Sequence, residues 1–181
     1  MSDAPVRVRR VLAGDGAKVR AIRLEALQDP AAGIAFLETY ETAAARPREF
    51  WDDRAAAAAL SSGSAQFIAE LGSSWVGSAT VLVPEPALPD YFGRVRDAGT
   101  ALLVAVYVAA AHRGRGILRR LVDAGGDWAA GQGCGILFLD VHEENARARA
   151  AYAGLGFAAT GRTIVGQNGR ELEMSREIGP A

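Results

Sequence analysis

Residues Ala101 to Val108 read Ala-Leu-Leu-Val-Ala-Val-Tyr-Val, a nearly unbroken apolar run. A run of this kind, without alternation, predicts a central strand covered on both faces, which a layered α/β architecture provides. After Ala109-Ala110-Ala111-His112 the chain continues Arg113-Gly114-Arg115-Gly116-Ile117-Leu118, and a helical pattern follows to about Gln132. A buried strand thus delivers the chain into a glycine-punctuated turn that opens a helix. Glycines let a ligand approach the backbone, and the first helical N–H groups have no partner of their own. The helix dipole adds positive potential there, so the segment predicts a site for an anion such as a pyrophosphate. Arg113, Arg115, Arg119 and Arg120 add formal charge.

The other elements are read around this segment. Val6 to Val11 alternates as a first strand. Asp15 stands where a helix cap belongs, ahead of the apolar stripe Val19, Ile22, Leu24 and Leu27 that ends before Pro30. Residues 31–45 have no clear period. Pro47 suits a first helical turn, and the alanine-rich stretch from Phe50 to Leu60 predicts a second helix. Gln66–Leu71 and Trp75–Val83 read as strands joined by Gly72-Ser73-Ser74, and the proline-containing stretch from Pro84 to Gly99 as a loop. Gly125 and Gly126 each cost the helix beginning near Gly116 about 1 kcal/mol. Ile136–Val141 reads as a buried strand and Asn145–Leu155 as a helix. Phe157–Val165 and Glu171–Arg176 read as strands paired across Asn168-Gly169, a strong hairpin signal. The expectation is one domain over residues 1–181, an α/β layered fold with a mixed, mostly antiparallel sheet of about seven strands and about four helices.

The formal net charge of −1 gives no overall bias toward nucleic acid or anionic membranes, so an anion must be held by a local cluster. One cysteine, Cys134, excludes an internal disulfide, and with only His112 and His142 beside it no structural metal site is expected. The polar start, Met1-Ser2-Asp3-Ala4-Pro5-Val6-Arg7, is unlike a signal segment, and no apolar run is long enough to span a bilayer. A cytoplasmic location is the expectation, with no nucleic-acid or membrane partner and with a homodimer left open.

Other phosphate motifs fail: there is no Gly-Lys-Ser/Thr, and the glycines do not make Gly-x-Gly-x-x-Gly. A second element does stand out, Asn145-Ala146-Arg147-Ala148-Arg149-Ala150-Ala151-Tyr152-Ala153-Gly154-Leu155-Gly156-Phe157. Alone, Asn145 is a helix cap and Tyr152 a partly buried core residue.

Together, in this order, the two elements resemble the GNAT superfamily of acyl-CoA-dependent N-acyltransferases. Its first signature, Gln/Arg-x-x-Gly-x-Gly/Ala, is matched by Arg113 to Leu118 with a departure at Leu118. Its second, Asn-x-x-Ala-x-x-x-Tyr followed by Gly-Phe, is matched by Asn145, Ala148, Tyr152, Gly156 and Phe157. The strong resemblance runs from about Leu102 to Thr160. It implies acetyl-CoA as co-substrate, with the backbone of Val106, Tyr107 and Val108 along the pantetheine arm. The N–H groups of Arg113, Gly114, Arg115, Gly116, Ile117 and Leu118 would hold the pyrophosphate, and Asn145 would fix the arm near the thiol. No metal is implied.

The chemistry can be weighed from pKa values. An amine acceptor of pKa near ~10 must lose a proton before it attacks a thioester. A strand N–H at Val106 or Tyr107 would stabilise the oxygen that gains charge. The departing thiolate, of pKa about 8.5 by analogy with cysteine, would take a proton from a phenol of pKa about 10, so Tyr152 is the expected general acid. For the base Glu38, Glu41, His142, Glu143 and a water chain stay open. Phe36, Tyr40 and Trp51 fall where such enzymes form the acceptor wall, although core packing explains each of them too. The expected acceptor is a small-molecule primary amine. The alternatives are a protein N-terminus or lysine, and a non-catalytic acyl-CoA sensor.

Overall fold

The computed structural model describes residues 5–179, so the first four residues, part of the polar start, lie outside it. Strands β1 (Arg7–Arg10), β2 (Ser64–Leu71), β3 (Ser74–Leu82), β4 (Thr100–Val108), β5 (Ile136–His142), β6 (Ala158–Gly166) and β7 (Gly169–Glu177) form one sheet. Their order is β1-β2-β3-β4-β5-β7-β6, with β4–β5 the one parallel pair. The α-helices are α1 (Gly16–Ala26), α2 (Ala32–Ala35), α3 (Tyr40–Ala44), α4 (Arg48–Leu60), α5 (Ile117–Gly131) and α6 (Ala146–Gly154). The mixed sheet and layered architecture agree with the sequence reading. The short helices α2 and α3 are additional and arise in the stretch that has no period, where neither is long enough to impose one.

Two apolar clusters lie on opposite faces of the sheet. One joins Val81, Leu103, Ile117, Leu121, Val122, Leu137 and Leu139, and receives Ala148, Tyr152 and Leu155 from α6. The other joins Val19, Ile22, Ala43, Trp51, Ala55 and Ile68, from α1, α3, α4 and β2. The glycines inside α5 have a packing reason. A Cβ on Gly125 would lie 2.7 Å from Val81 Cγ2, so the helix rides closer to the sheet than alanine permits. Gly125→Ala is expected to destabilise the fold by about 1–3 kcal/mol in a urea titration despite its better helix propensity. A variant as stable as the parent would show that the contact relaxes.

Asp15 does not cap α1 with its side chain. A 3₁₀ turn at Ala13–Asp15 precedes the helix, so the carboxylate folds back to accept from the Leu12 N–H at 2.9 Å and to pair with Arg9 at 2.8 Å.

The loop between β3 and β4 carries a buried ionic cluster. Arg96 Nη1 donates to Glu173 Oε2 at 2.7 Å and its Nε to Asp90 Oδ2 at 3.0 Å, while Arg94 Nη1 donates to Asp140 Oδ1 at 2.9 Å. Glu173 is 1% exposed and also accepts from Thr160 Oγ1 at 2.9 Å. These groups pin the loop to β5 and β7.

Candidate active site

The strand that reads as covered on both faces is continuously buried only from Thr100 to Leu103, and beyond the half-exposed Val104–Val106 only Tyr107 is buried again. β4 pairs with β5 at Thr100↔Ile136, Ala101↔Leu137 and Leu102↔Phe138, after which the two parallel strands part. Val104, Ala105 and Val106 are accordingly half-exposed, because the apolar run there lines an opening rather than a neighbour. At the same place β4 bulges: Ser78 pairs with Tyr107 but Thr80 with Val104, so one extra residue is accommodated. Ala105 takes φ 51°, a left-handed conformation unfavourable for a residue with a Cβ. Bulge and strain together turn the backbone at the mouth of the opening.

A cavity of about 610 Å³ fills the opening, walled by β4 from Leu103 to Val108, the turn from Arg113 to Gly116, the start of α5, and α6 at Asn145, Ala148 and Tyr152. Gly114 and Gly116 have φ of 75° and 74° with nothing within 4 Å of an added Cβ, so backbone conformation alone demands glycine there. Two left-handed residues ahead of a helix curl successive N–H groups into a concavity suited to an anion. Ile117 and Leu118 open α5, where no intrahelical carbonyl lies upstream to take their N–H groups.

The arginine side chains are less free than their number suggests. Arg113 forms an ion pair with Asp29, and its Nε donates to the Val108 carbonyl at 2.9 Å. That carbonyl is one of the groups expected along the pantetheine arm, and it already has a partner. Arg119 donates to the Gly154 carbonyl at 3.0 Å, tying α5 to α6. Arg115 and Arg120 are exposed.

Asn145 caps α6 through its Oδ1, which accepts from the Ala148 N–H at 3.2 Å. Its side chain also lines the cavity. Tyr152 stands one cavity wall away, its ring 5.8 Å from that of Phe157. Burial pushes its phenol well above the ordinary value, with no hydrogen bond or charge contributing. Tyr107, the other phenol here, donates to Glu25 Oε1 at 3.0 Å, which commits its proton.

A second cavity, of about 350 Å³, meets the first along Phe36, Leu103, Val104, Ala105, Asp140 and Glu171. Phe36 thus borders both cavities. Tyr40 borders neither and is 36% exposed, because it begins α3 on the outer surface. Trp51 is 1% exposed and belongs to the core under α4, where its Nε1 finds no partner. Packing is the better account of Trp51, and Tyr40 is a surface residue.

Among the candidate bases, Glu41 and Glu143 are exposed outside both cavities. Glu38 borders the second cavity but pairs with Arg23 at 3.1 Å. His142 has both ring nitrogens engaged: Nδ1 accepts from the Glu144 N–H at 3.2 Å, so the proton lies on Nε2, 2.9 Å from the Asn168 carbonyl. The group missed in the sequence is Glu171. Its side chain borders both cavities, is 8% exposed, and has no hydrogen bond or ion pair among the described residues. Burial raises its pKa from the ordinary carboxylate value; positive charge on His142 would oppose this, and Asp140 adds to it. A strand reading Glu171-Leu172-Glu173-Met174 looks half-solvated, yet Glu171, Glu173 and Met174 are all buried.

The family model described as Acetyltransferase (GNAT) family matches residues 25–157. The chain belongs to this GNAT acetyltransferase family. No curated protein matches it by sequence. Among solved structures it is similar to yncA from Salmonella typhimurium, solved with its cofactor acetyl-CoA, at 20% identity and TM-score 0.68 over 98% of this chain and 96% of that one. It is also similar to a ribosomal-protein-alanine N-acetyltransferase from Brucella melitensis, at 24% identity and TM-score 0.65 over 94% and 99%. A spermidine N-acetyltransferase chimera from Vibrio cholerae and hSSAT matches at 15% identity and TM-score 0.68 over 95% of each chain. The latter two acceptors differ in kind, so the shared GNAT fold does not name an acceptor.

Acetyl-CoA is the acyl donor of this GNAT acetyltransferase. The site's chemistry fits it: a concavity of unpaired amides for phosphate, an open strand edge for an amide-bearing arm, and a protonated phenol without a partner. Among the described residues there is no group of side chains that could hold a metal, and no helix long and apolar enough to cross a membrane.

Proposed function

We propose that the protein moves the acetyl group of acetyl-CoA directly to a primary amine of a small molecule, with Tyr152 as general acid and Glu171 as general base. The observation that carries this reading is the meeting of two cavities at the β4 bulge, with an unpartnered buried carboxylate on the junction and an unpartnered phenol in the donor cavity. The amides of Gly114 to Leu118 bind the phosphates, the edge of β4 at Val106 and Val108 aligns the arm, at Val108 through the N–H because Arg113 holds the carbonyl, and Asn145 positions it near the thiol.

Acetyl-CoA, when bound, supplies the acetyl group as a thioester. Glu171 takes the proton that the amine must lose, and its raised affinity for a proton suits it to that task better than an ordinary surface carboxylate. An N–H of β4 at Val106 or Tyr107 offsets charge on the carbonyl oxygen. Tyr152 Oη holds a proton at every physiological pH and gives it to the sulfur that departs. A cavity near 350 Å³ walled by Phe36, Phe50 and Phe92 suits a small acceptor better than a peptide.

Incubation of acetyl-CoA with a panel of amines is expected to release free thiol, and Tyr152→Phe to slow that release at least ~10-fold with acetyl-CoA binding retained. Binding of acetyl-CoA without turnover on any amine or peptide would instead identify a sensor. Turnover confined to peptides would identify a protein acetyltransferase.

A further inference from the structure

The acceptor cavity carries two unpartnered charges of opposite sign. Arg54 of α4 borders it together with Arg23 and Arg46. The single carboxylate Glu38 serves both neighbours, at 3.1 Å from Arg23 and 3.9 Å from Arg46. Each neighbour also lies over an aromatic ring, Arg23 at 4.7 Å from the centre of Phe36 and Arg46 at 4.7 Å from that of Phe50. Arg54 itself has no hydrogen bond, ion pair or ring contact among the described residues. At the other end Asp140 is ion-paired with Arg94 and accepts from the Tyr91 hydroxyl at 2.9 Å, which leaves Glu171 as the free carboxylate. Arg54 and Glu171 do not pair with each other.

We propose that the acceptor is a zwitterion of the amino-acid type, whose oxyanion is bound by Arg54 while its ammonium faces Glu171. This rests on the amine-acetylation reading above and narrows it. A partly buried guanidinium among like charges is unfavourable until an anion joins it, and a planar fork of donors matches a carboxylate in two bonds. Burial, together with repulsion from Arg23 and Arg46, outweighs the attraction of Glu38 and weakens Arg54's hold on its proton, the strain that such an anion would relieve. A polyamine brings further positive charge against Arg54, and a protein N-terminus brings no free carboxylate beside its amine. Both are disfavoured by the same electrostatics.

The test uses the full chain, acetyl-CoA and thiol release with matched acceptors: free amino acids, their primary amides, the amines lacking the carboxyl, and aminoalkylphosphonates. The acids are expected to exceed their amides in kcat/KM by at least about tenfold, as loss of a charge-assisted pair predicts. Arg54→Met is expected to collapse that ratio toward one, chiefly through KM, and Arg54→Lys to restore part of it. Melting temperature and acetyl-CoA affinity of each variant report whether the fold survives. Turnover of the phosphonates above the carboxylates would assign the oxyanion to phosphorus. Amides or plain amines turned over as well as acids, or an unchanged ratio in Arg54→Met, would overturn the inference and leave amine acetylation standing. No turnover of any amine would sink the underlying reading, and this one with it.

Discussion

Glu171→Gln is expected to lower kcat by about 10²- to 10⁴-fold, the range that a positioned general base supplies. Glutamine keeps the size and the polarity of the side chain but cannot take a proton from an ammonium. The same substitution is expected not to lower stability at neutral pH. The folded-state pKa of Glu171 is raised above 4.5, so the native state favours the protonated form. Its contribution to stability is therefore complete below the unfolded pKa and is lost as pH rises through the folded one. At neutral pH the ionised carboxylate is a burden on the fold, which glutamine removes. Activity and stability thus move in different directions, as at sites where function is kept at the expense of stability. The wild-type pH profile of kcat/KM should show an acid limb above 4.5 that is absent in the variant. A Glu171→Gln protein with wild-type kcat would remove the base assignment.

Glu173→Ala is expected to destabilise the fold by about 3–5 kcal/mol, because it leaves Arg96 buried without its main carboxylate. Arg96 is 7% exposed, and one of its nitrogens, Nη2, has no hydrogen bond and only a long ion pair with Asp140 at 3.9 Å. Asp90, at 3.0 Å from Arg96 Nε, cannot serve both faces of the guanidinium. For a chain of this length the melting temperature should fall by on the order of 10 °C, since each kcal/mol shifts it by about 2–4 °C. Replacing both partners, as Arg96→Met with Glu173→Leu, should recover much of the loss, because no buried guanidinium is left without its carboxylate and Asp90 keeps Arg94 at 3.1 Å. A loss below about 1 kcal/mol for the single variant would mean that the cluster is solvated in solution. The consequence for the site is positional: the cluster fixes Asp140, which borders the second cavity, through Arg94.

The glycine turn, the helix cap and the apolar strand of the proposed donor site were legible because their signals are local. Gly114 and Gly116 answer to their own φ angles, Asn145 to the first turn of the helix it caps, and the Ala101–Val108 run to a single strand. Backbone conformation, capping and burial periodicity are all written within a few residues, so sequence by itself determined the long elements, the mixed sheet, the glycine-punctuated turn and the family, whereas the short helices α2 and α3 came only with the tertiary structure. The positions of Phe36, Tyr40 and Trp51 carried no such signal. Any of these aromatics suits a core, a surface or a cavity wall, and only packing separates the half-wall Phe36 from the buried Trp51. Glu171 and Arg54 show the limit most clearly. Each is an ordinary charged residue in a strand or helix, and its character comes from groups distant along the chain: Asp140 and the α2 segment around one, Arg23 and Glu38 around the other. Desolvation and the lack of a partner are properties of a three-dimensional neighbourhood, and it was the parting of β4 from β5 that created this one.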